Sequence, residues 1–73
     1  MLMGPQPGQI VAIRPLDIHG TQLFDIVFRL DGEDGTHSAR LGAEALYGLP
    51  KEGDRVVIHF IMQTVTQIER KQV

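Results

Sequence analysis

Side chains that could bind a metal ion are few in this sequence. Histidine occurs three times, at His19, His37 and His59, and three imidazoles would suit zinc, nickel or copper. No two of these histidines stand at ligand spacing on one predicted element, although strand pairing could bring His37 and His59 near each other. We therefore predict no metal site, with His19 in a loop and His59 on a sheet face.

A second group of polar side chains could hold an anion or another polar ligand. Ser38, Thr64 and Thr66 carry hydroxyls on predicted strands, and Arg40 is a basic residue close to Ser38 in the chain. Thr64 and Thr66 should point the same way, because side chains alternate along a strand. The alternative is that the threonines only favour strand formation and that Arg40 is a solvated strand residue. We predict these four residues as the candidate anion-binding site.

The sequence lacks the patterns of common catalytic sites. No Ser–His–Asp arrangement, glycine-rich phosphate loop or paired-carboxylate spacing is present. Asp31, Glu33 and Asp34 cluster, but the oxygen pattern of a calcium loop is absent and a solvated turn is predicted. Phe24 and Phe28 could stack on nucleic-acid bases, yet their period-two spacing among aliphatic residues predicts core positions. We therefore predict that the protein is not an enzyme.

Length and composition limit the possible classes of protein. A chain of 73 residues predicts one domain, 1–73, and a domain of this size buries only about 60% of the surface that its unfolded chain exposes. The sequence has no cysteine, so disulfides and thiolate metal sites are excluded. A partner subunit is therefore the leading candidate for additional stability.

Charge and hydropathy argue against two further classes. The formal net charge is −2, with acidic and basic residues interspersed and no basic patch, which argues against nucleic-acid binding. No apolar segment approaches the ~20 residues that span a bilayer, and residues 1–4 lack the features of a signal peptide. We expect a cytoplasmic protein without membrane insertion.

The pattern of apolar residues predicts five short strands and one short helix. The strands are predicted at residues 9–14, 23–30, 36–41, 55–61 or 55–62 and 65–69, and the helix at 42–47. Pro15 should end the first strand, and residues 4–8 should precede it as a stiff lead-in. Gly48 should cap the helix, with Leu49 closing the cap by an apolar contact. This order predicts an all-β fold, a small five-stranded OB-type barrel with one short helix between strands 3 and 4.

The predicted fourth strand is apolar on both of its faces. The core-facing residues would be Val56, Ile58 and Phe60, and the opposite face would carry Val57, His59 and Ile61. An antiparallel sheet usually exposes one face to solvent. We therefore predict that the opposite face is an interface covered by another subunit. The alternative is that the helix and the N-terminal arm cover it within one chain.

Short motifs along most of the chain resemble a known family. They occupy residues 9–13, 25–28, 35–36, 38–41, 43–49 and 53–56, in the order and spacing of TOBE domains. These are OB-type modules found at the end of ABC transporter ATPases and in free-standing molbindins. The resemblance implies a homo-oligomer that binds molybdate or tungstate at subunit interfaces, with Thr64 and backbone N–H groups as donors. Met62 stands where the family has a lysine.

A second, smaller resemblance concerns residues 7–11 and 53–59. These segments are similar to the small chaperones of nickel–iron hydrogenase maturation, although Leu2 stands where that family has a cysteine. Two functions are therefore considered for this chain. It is a homo-oligomeric ligand-binding or regulatory module, or it is a protein-interaction module that docks a partner, such as a metalloenzyme under assembly, through the apolar face of the fourth strand. Nucleic-acid binding by an OB surface is the third possibility.

Overall fold

Five strands and one 3-10 turn make up the structure, a computed structural model that describes residues 2–71. The elements are β1 (Gly4–Ile18), β2 (Thr21–Leu30), β3 (His37–Gly42), the 3-10 turn (Ala43–Ala45), β4 (Arg55–Ile61) and β5 (Thr64–Arg70). They form one antiparallel sheet in the order β3-β2-β1-β4-β5. The predicted all-β class and the five strands are confirmed.

Strand β1 is the longest strand and lies at the centre of the sheet. Its residues 4–9 pair with β4, and its residues 8–18 pair with β2. The predictions that residues 4–8 precede the strand and that Pro15 ends it are wrong. Pro5 and Pro7 lie where β1 pairs only with β4, and Pro15 lies where it pairs only with β2. Each proline therefore has an unpaired side of the strand available, where its missing N–H is tolerated.

Gly8 marks the point where β1 passes from one neighbour to the other. It is buried and pairs with Leu30 of β2 and with Val56 of β4. A Cβ atom at this position would lie 2.6 Å from the backbone oxygen of Arg29. The close approach of the two strands therefore requires glycine here.

A β-bulge at Val11 decides which side chains of β1 face the core. Ile10 pairs with Phe28 and Ala12 with Val27, which leaves Val11 as the extra residue. The bulge changes the alternation of faces along β1, because an inserted residue bends the strand and shifts the later residues by one position. Ile13 consequently packs against the core, and the next residue, Arg14, is exposed on the outer face.

The core lies on the inner face of the sheet and draws on all five strands. Its buried members are Ile10, Ile26, Phe28, Leu30, Leu41, Val56, Ile58, Phe60 and Ile68. The rings of Phe28 and Phe60 meet edge to face, with centroids 6.2 Å apart. The core positions predicted for Phe24 and Phe28 are confirmed, with Phe24 half-buried at the margin. The core-facing side of β4 is also the predicted one.

The two edges of the sheet are β3 and β5. These strands contact each other, but no hydrogen-bonded ladder joins them within residues 2–71. The sheet is therefore not closed by strand pairing, and the OB-type barrel stays a prediction.

The predicted helix at 42–47 is only the three-residue 3-10 turn. Leu46 ends the turn in an extended conformation, with φ −124° and ψ 166°, and the predicted glycine cap at Gly48 is wrong. Leu49 is 81% exposed and closes no cap. Leu46 and Tyr47 pack against the core, and this packing outweighs the helix propensity of so short a segment.

Candidate functional site

An open groove of about 720 Å³ lies on the outer face of β1, β2 and β3. Two rows of cross-strand neighbours run over it. The first row is Arg14, Asp25 and Arg40, and the second is Ala12, Val27 and Ser38. The bulge at Val11 brings the β1 members of both rows to this face. The second row consists of small side chains, so it forms the floor of the groove.

The first row is held by an ion pair between β2 and β3. The Arg40 guanidinium donates from Nε to Asp25 Oδ1 at 2.8 Å and from Nη2 to Oδ2 at 3.2 Å. This hydrogen bonding lowers the pKa of Asp25, and the positive charges of Arg40 and Arg14 lower it further. The same contact raises the pKa of Arg40. Both carboxylate oxygens of Asp25 are therefore engaged by Arg40.

Arg14 is the cross-strand neighbour of Asp25 on β1, but it does not take part in the ion pair between Asp25 and Arg40. Within the described residues its guanidinium has no hydrogen-bond partner and no carboxylate within ion-pair distance. The Ser38 hydroxyl likewise makes no hydrogen bond among residues 2–71. Arg14 and Ser38 are thus free donors on β1 and β3, the strands on either side of β2. The two guanidinium groups and one carboxylate of the first row leave a net charge of +1.

The four predicted anion-binding residues lie at opposite edges of the sheet. Ser38 and Arg40 line the groove on β3, whereas Thr64 and Thr66 belong to β5. Thr64 is exposed and pairs with Ile61. Thr66 is the extra residue of a second β-bulge, and its hydroxyl donates to the backbone oxygen of His59 at 3.3 Å. This bulge interrupts the alternation that predicts a shared direction for the two threonines.

The predicted interface residues Val57, His59 and Ile61 lie on the outer face of β4. Val57 and His59 are half-buried, and Ile61 is 59% exposed. The N-terminal part of β1 pairs alongside β4 in the sheet, and the 3-10 turn contacts β2, β3 and β5. Within residues 2–71, the 3-10 turn makes no contact with β4, and residues 4–9 lie beside β4 within the sheet.

Three exposed apolar side chains gather at the end of the β4–β5 hairpin. These are Met3, Ile61 and Met62, here called the apolar tip, and their exposed fractions are 52%, 59% and 68%. The Met62 N–H donates to the Met3 sulfur at 3.0 Å, and the Gln63 N–H donates to the Leu2 backbone oxygen at 3.0 Å. The N-terminal residues and the hairpin therefore form one continuous surface.

The turn at the apolar tip has an unusual backbone. Ile61 pairs with Thr64, so the turn consists of Met62 and Gln63 alone, with φ of 50° and 70°. Two-residue turns of this kind favour Asn-Gly, because non-glycine side chains disfavour positive φ. The spacing of the strands gives no sign of this conformation, and sequence reasoning missed it.

The three histidines occupy separate elements. His19 lies in the β1–β2 turn and His59 on the outer sheet face, as predicted. His37 stacks on Phe28 with ring centroids 5.4 Å apart, and its Nε2 lies 2.9 Å from the Glu33 carboxylate. His59 contacts the Glu69 carboxylate through a buried Nε2, without hydrogen-bonding geometry. The described part of the chain contains no group of three His, Asp or Glu side chains that could hold a metal ion.

A hydrogen bond at the edge of the core ties the segment after the 3-10 turn to the turn before β4. The Tyr47 hydroxyl donates to Asp54 Oδ2 at 2.5 Å, and the Lys51 N–H donates to the same oxygen at 3.1 Å. Burial, followed by the Asp54 contact, raises the pKa of Tyr47, and the hydrogen bond from Tyr47 lowers the pKa of Asp54. The contact is structural, since both groups are satisfied by each other.

Comparison with known proteins returns no relative. No protein-family model matches the chain, and neither does any curated protein or solved structure. The one helical segment among residues 2–71 has three residues, far short of the length that crosses a membrane.

Proposed function

We propose that this protein is a non-enzymatic OB-type binding module that works as a homo-oligomer through the outer face of β4. The observation that carries the proposal is the exposed apolar tip, together with the half-buried Val57 on the same outer face of β4 as Ile61. Scattered apolar residues are normal on a protein surface, but a contiguous patch marks an interaction site.

The strand order supports the OB-type architecture. β1 lies between β2 and β4, and the two edge strands β3 and β5 contact each other. An OB fold is a five-stranded, partly open barrel. Rolling this sheet until β3 meets β5 gives such a barrel, with the outer face of β4 on its outside.

Charge also favours a second copy as the occupant of this surface. The neighbouring β1 residues are Pro5 and Pro7, both exposed. The ionisable groups on and beside β4's outer face are Arg55, paired with Asp31, and His59, which contacts Glu69. Two chains of net charge −2 can therefore meet here without bringing unpaired like charges together. Burial of the apolar side chains would favour association, because each Å² of apolar surface removed from water contributes about 25 cal/mol of favourable free energy.

The test is the oligomeric state of wild type and of Val57→Asp, measured by light scattering after size exclusion and by native mass spectrometry. We expect a wild-type oligomer that dissociates in the variant. Val11→Asp is the matched control, because it places the same charge on an exposed valine of the β1 bulge. A wild-type monomer at all accessible concentrations would overturn the proposal.

The ligand proposed for the oligomer is molybdate or tungstate. Thr64 is exposed and pairs with Ile61 of the proposed interface, so its hydroxyl lies at the rim of that surface. A dianion needs several donors, which two subunits could supply together. Calorimetric titration of wild type and Thr64→Ala with sodium molybdate tests this proposal. An absence of binding heat with wild type would rule out an oxyanion as the ligand.

A protein-interaction module is the second candidate function, favoured by the methionines of the apolar tip. Met62 and Met3 are flexible apolar side chains of the kind found on adaptable binding surfaces. They are presented on a turn whose backbone is strained, a feature that clusters at functional sites. In this case Val57→Asp would leave the oligomeric state unchanged and abolish binding of the partner protein.

A further inference from the structure

We propose that the groove on β1, β2 and β3 binds a small organic monocarboxylate, with Arg14 and Ser38 holding the carboxylate and the apolar body lying over Val27. This inference rests on the proposed function as a binding module. It does not depend on self-association, because every residue of the groove belongs to one protomer.

The free donors of the groove fit a carboxylate. The Arg14 guanidinium has no partner among the described residues, and a guanidinium donates two parallel hydrogen bonds to a carboxylate. The Ser38 hydroxyl, on β3 at the far side of β2, is a further free donor. Together they can satisfy the oxygens of one bound carboxylate group.

The charge of the groove favours a monoanion over a dianion. Arg40 is already engaged by both oxygens of Asp25, at 2.8 and 3.2 Å, so Arg14 is the only lining cation without a partner in residues 2–71. The net charge of +1 is neutralised by one carboxylate. A dianion such as molybdate would leave excess negative charge beside the Asp25 carboxylate, which is unfavourable.

The floor of the groove fits a compact apolar group. Ala12 and Val27 present short aliphatic side chains beside the donors. The outward residues of β2 and β3 include no aromatic side chain, since Phe24 and Phe28 face the core. Single-stranded nucleic acids are usually bound by stacking on exposed aromatic rings. The groove is therefore suited to a small apolar acid and not to stacked bases.

The experiment is a titration of the ¹⁵N-labelled protein followed by two-dimensional NMR, with sodium benzoate as the probe. We expect the largest shift changes at the amides of Ala12, Val27 and Ser38. Methyl benzoate, which lacks the charge, should bind at least about tenfold more weakly, since one charge-assisted pair contributes roughly that factor. Sodium molybdate should leave these amides unshifted.

Three variants separate a binding role from a structural one. Arg14→Gln should weaken benzoate binding by about tenfold or more. Asp25→Asn removes the competing carboxylate and releases Arg40, so it should tighten binding, a gain that loss of structure cannot produce. Arg29→Gln is the matched control, because Arg29 is an exposed arginine of β2 that does not line the groove, and it should bind as wild type does.

The outcomes are distinct from those for self-association. Unchanged binding in Arg14→Gln, weaker binding in Asp25→Asn, equal binding of methyl benzoate, or no shift at the groove amides each overturns the inference. Light scattering on the same sample reports the oligomeric state independently. A monomeric protein that binds benzoate would support carboxylate binding in the groove and contradict the proposed homo-oligomer. An oligomer that does not bind benzoate would support the homo-oligomer and contradict carboxylate binding in the groove.

Discussion

Replacing Met62 and Gln63 by asparagine and glycine should stabilise the fold and weaken self-association at the same time. Both residues have positive φ, at 50° and 70°, in a two-residue turn that favours Asn-Gly. The double change Met62→Asn with Gln63→Gly relieves the backbone strain of the turn. It also removes Met62, which is 68% exposed, from the apolar tip.

The size of the stabilisation follows from the two positions separately. A left-handed backbone costs an ordinary L-residue about 1–2 kcal/mol. Glycine at position 63 removes this cost but adds about 0.5–1 kcal/mol of unfolded-state entropy. Asparagine at position 62 tolerates the conformation and should recover roughly half of the cost. The net expected gain is about 1–2 kcal/mol, and each kcal/mol raises the melting temperature of a small domain by about 4–8 °C.

The assay is urea unfolding at a protein concentration where wild type and variant are both monomeric, because association would add its own stability. Light scattering at high concentration then reports self-association. Leu49→Asn is the control, since it changes an apolar residue that is even more exposed than Met62 and has an ordinary φ. The stability of this variant should stay within about 0.5 kcal/mol of wild type. A double variant no more stable than wild type would contradict the proposed backbone strain in the turn. A double variant that self-associates as strongly as wild type would contradict the role of the apolar tip in association.

Three further predictions concern the core, the strand crossing and the Tyr47–Asp54 contact. Ile58→Ala, at a fully buried position, should cost about 2–5 kcal/mol in chemical unfolding, and a smaller loss would place Ile58 outside the core. Gly8→Ala should reduce the melting temperature more than Ala substitution at the exposed Leu49, because its Cβ would lie 2.6 Å from the Arg29 backbone oxygen. Tyr47→Phe should remove a stabilisation that depends on pH. The pKa of Asp54 is lowered from 3.8, so its contribution is present above that pH and disappears as pH falls through the folded-state value. The pKa of Tyr47 is raised from 10.0, so wild type should lose stability as pH rises above 10 while Tyr47→Phe does not. Melting curves between pH 2 and pH 11 check both arms, and a constant difference between the two proteins at every pH would contradict the reasoning.

The strands were predictable where the apolar pattern is local. Period-two alternation in β2 and β4 identifies both strands and their core faces, because burial of one face of a sheet imposes that period. The prolines of β1 led to wrong strand bounds, because whether a strand tolerates a proline depends on which side of the strand is paired. That property belongs to the tertiary structure, and it appears in the sequence only as an apparent break.

The groove was predictable in part. Ser38 and Arg40 are strand residues with suitable side chains, and both line it. Arg14 and Asp25 join them only through the register of three strands, and that register depends on the bulge at Val11. Shifting one strand by a single residue would send these side chains to the core face. A single sequence carries no signal for the bulge, so these two residues could not be assigned to a site.

The division of β1 between two neighbours has a consequence for the order of folding. The β1–β2, β2–β3 and β4–β5 pairs join segments that are near in sequence, whereas Gln9 must find Arg55 across most of the chain. Closing so long a loop is entropically costly and slow. We expect the two groups of strands to form early and the first residues of β1 to dock onto β4 last. The pairing of residues 4–9 with β4 thus joins the β1–β2–β3 group and the β4–β5 hairpin into one cooperative domain.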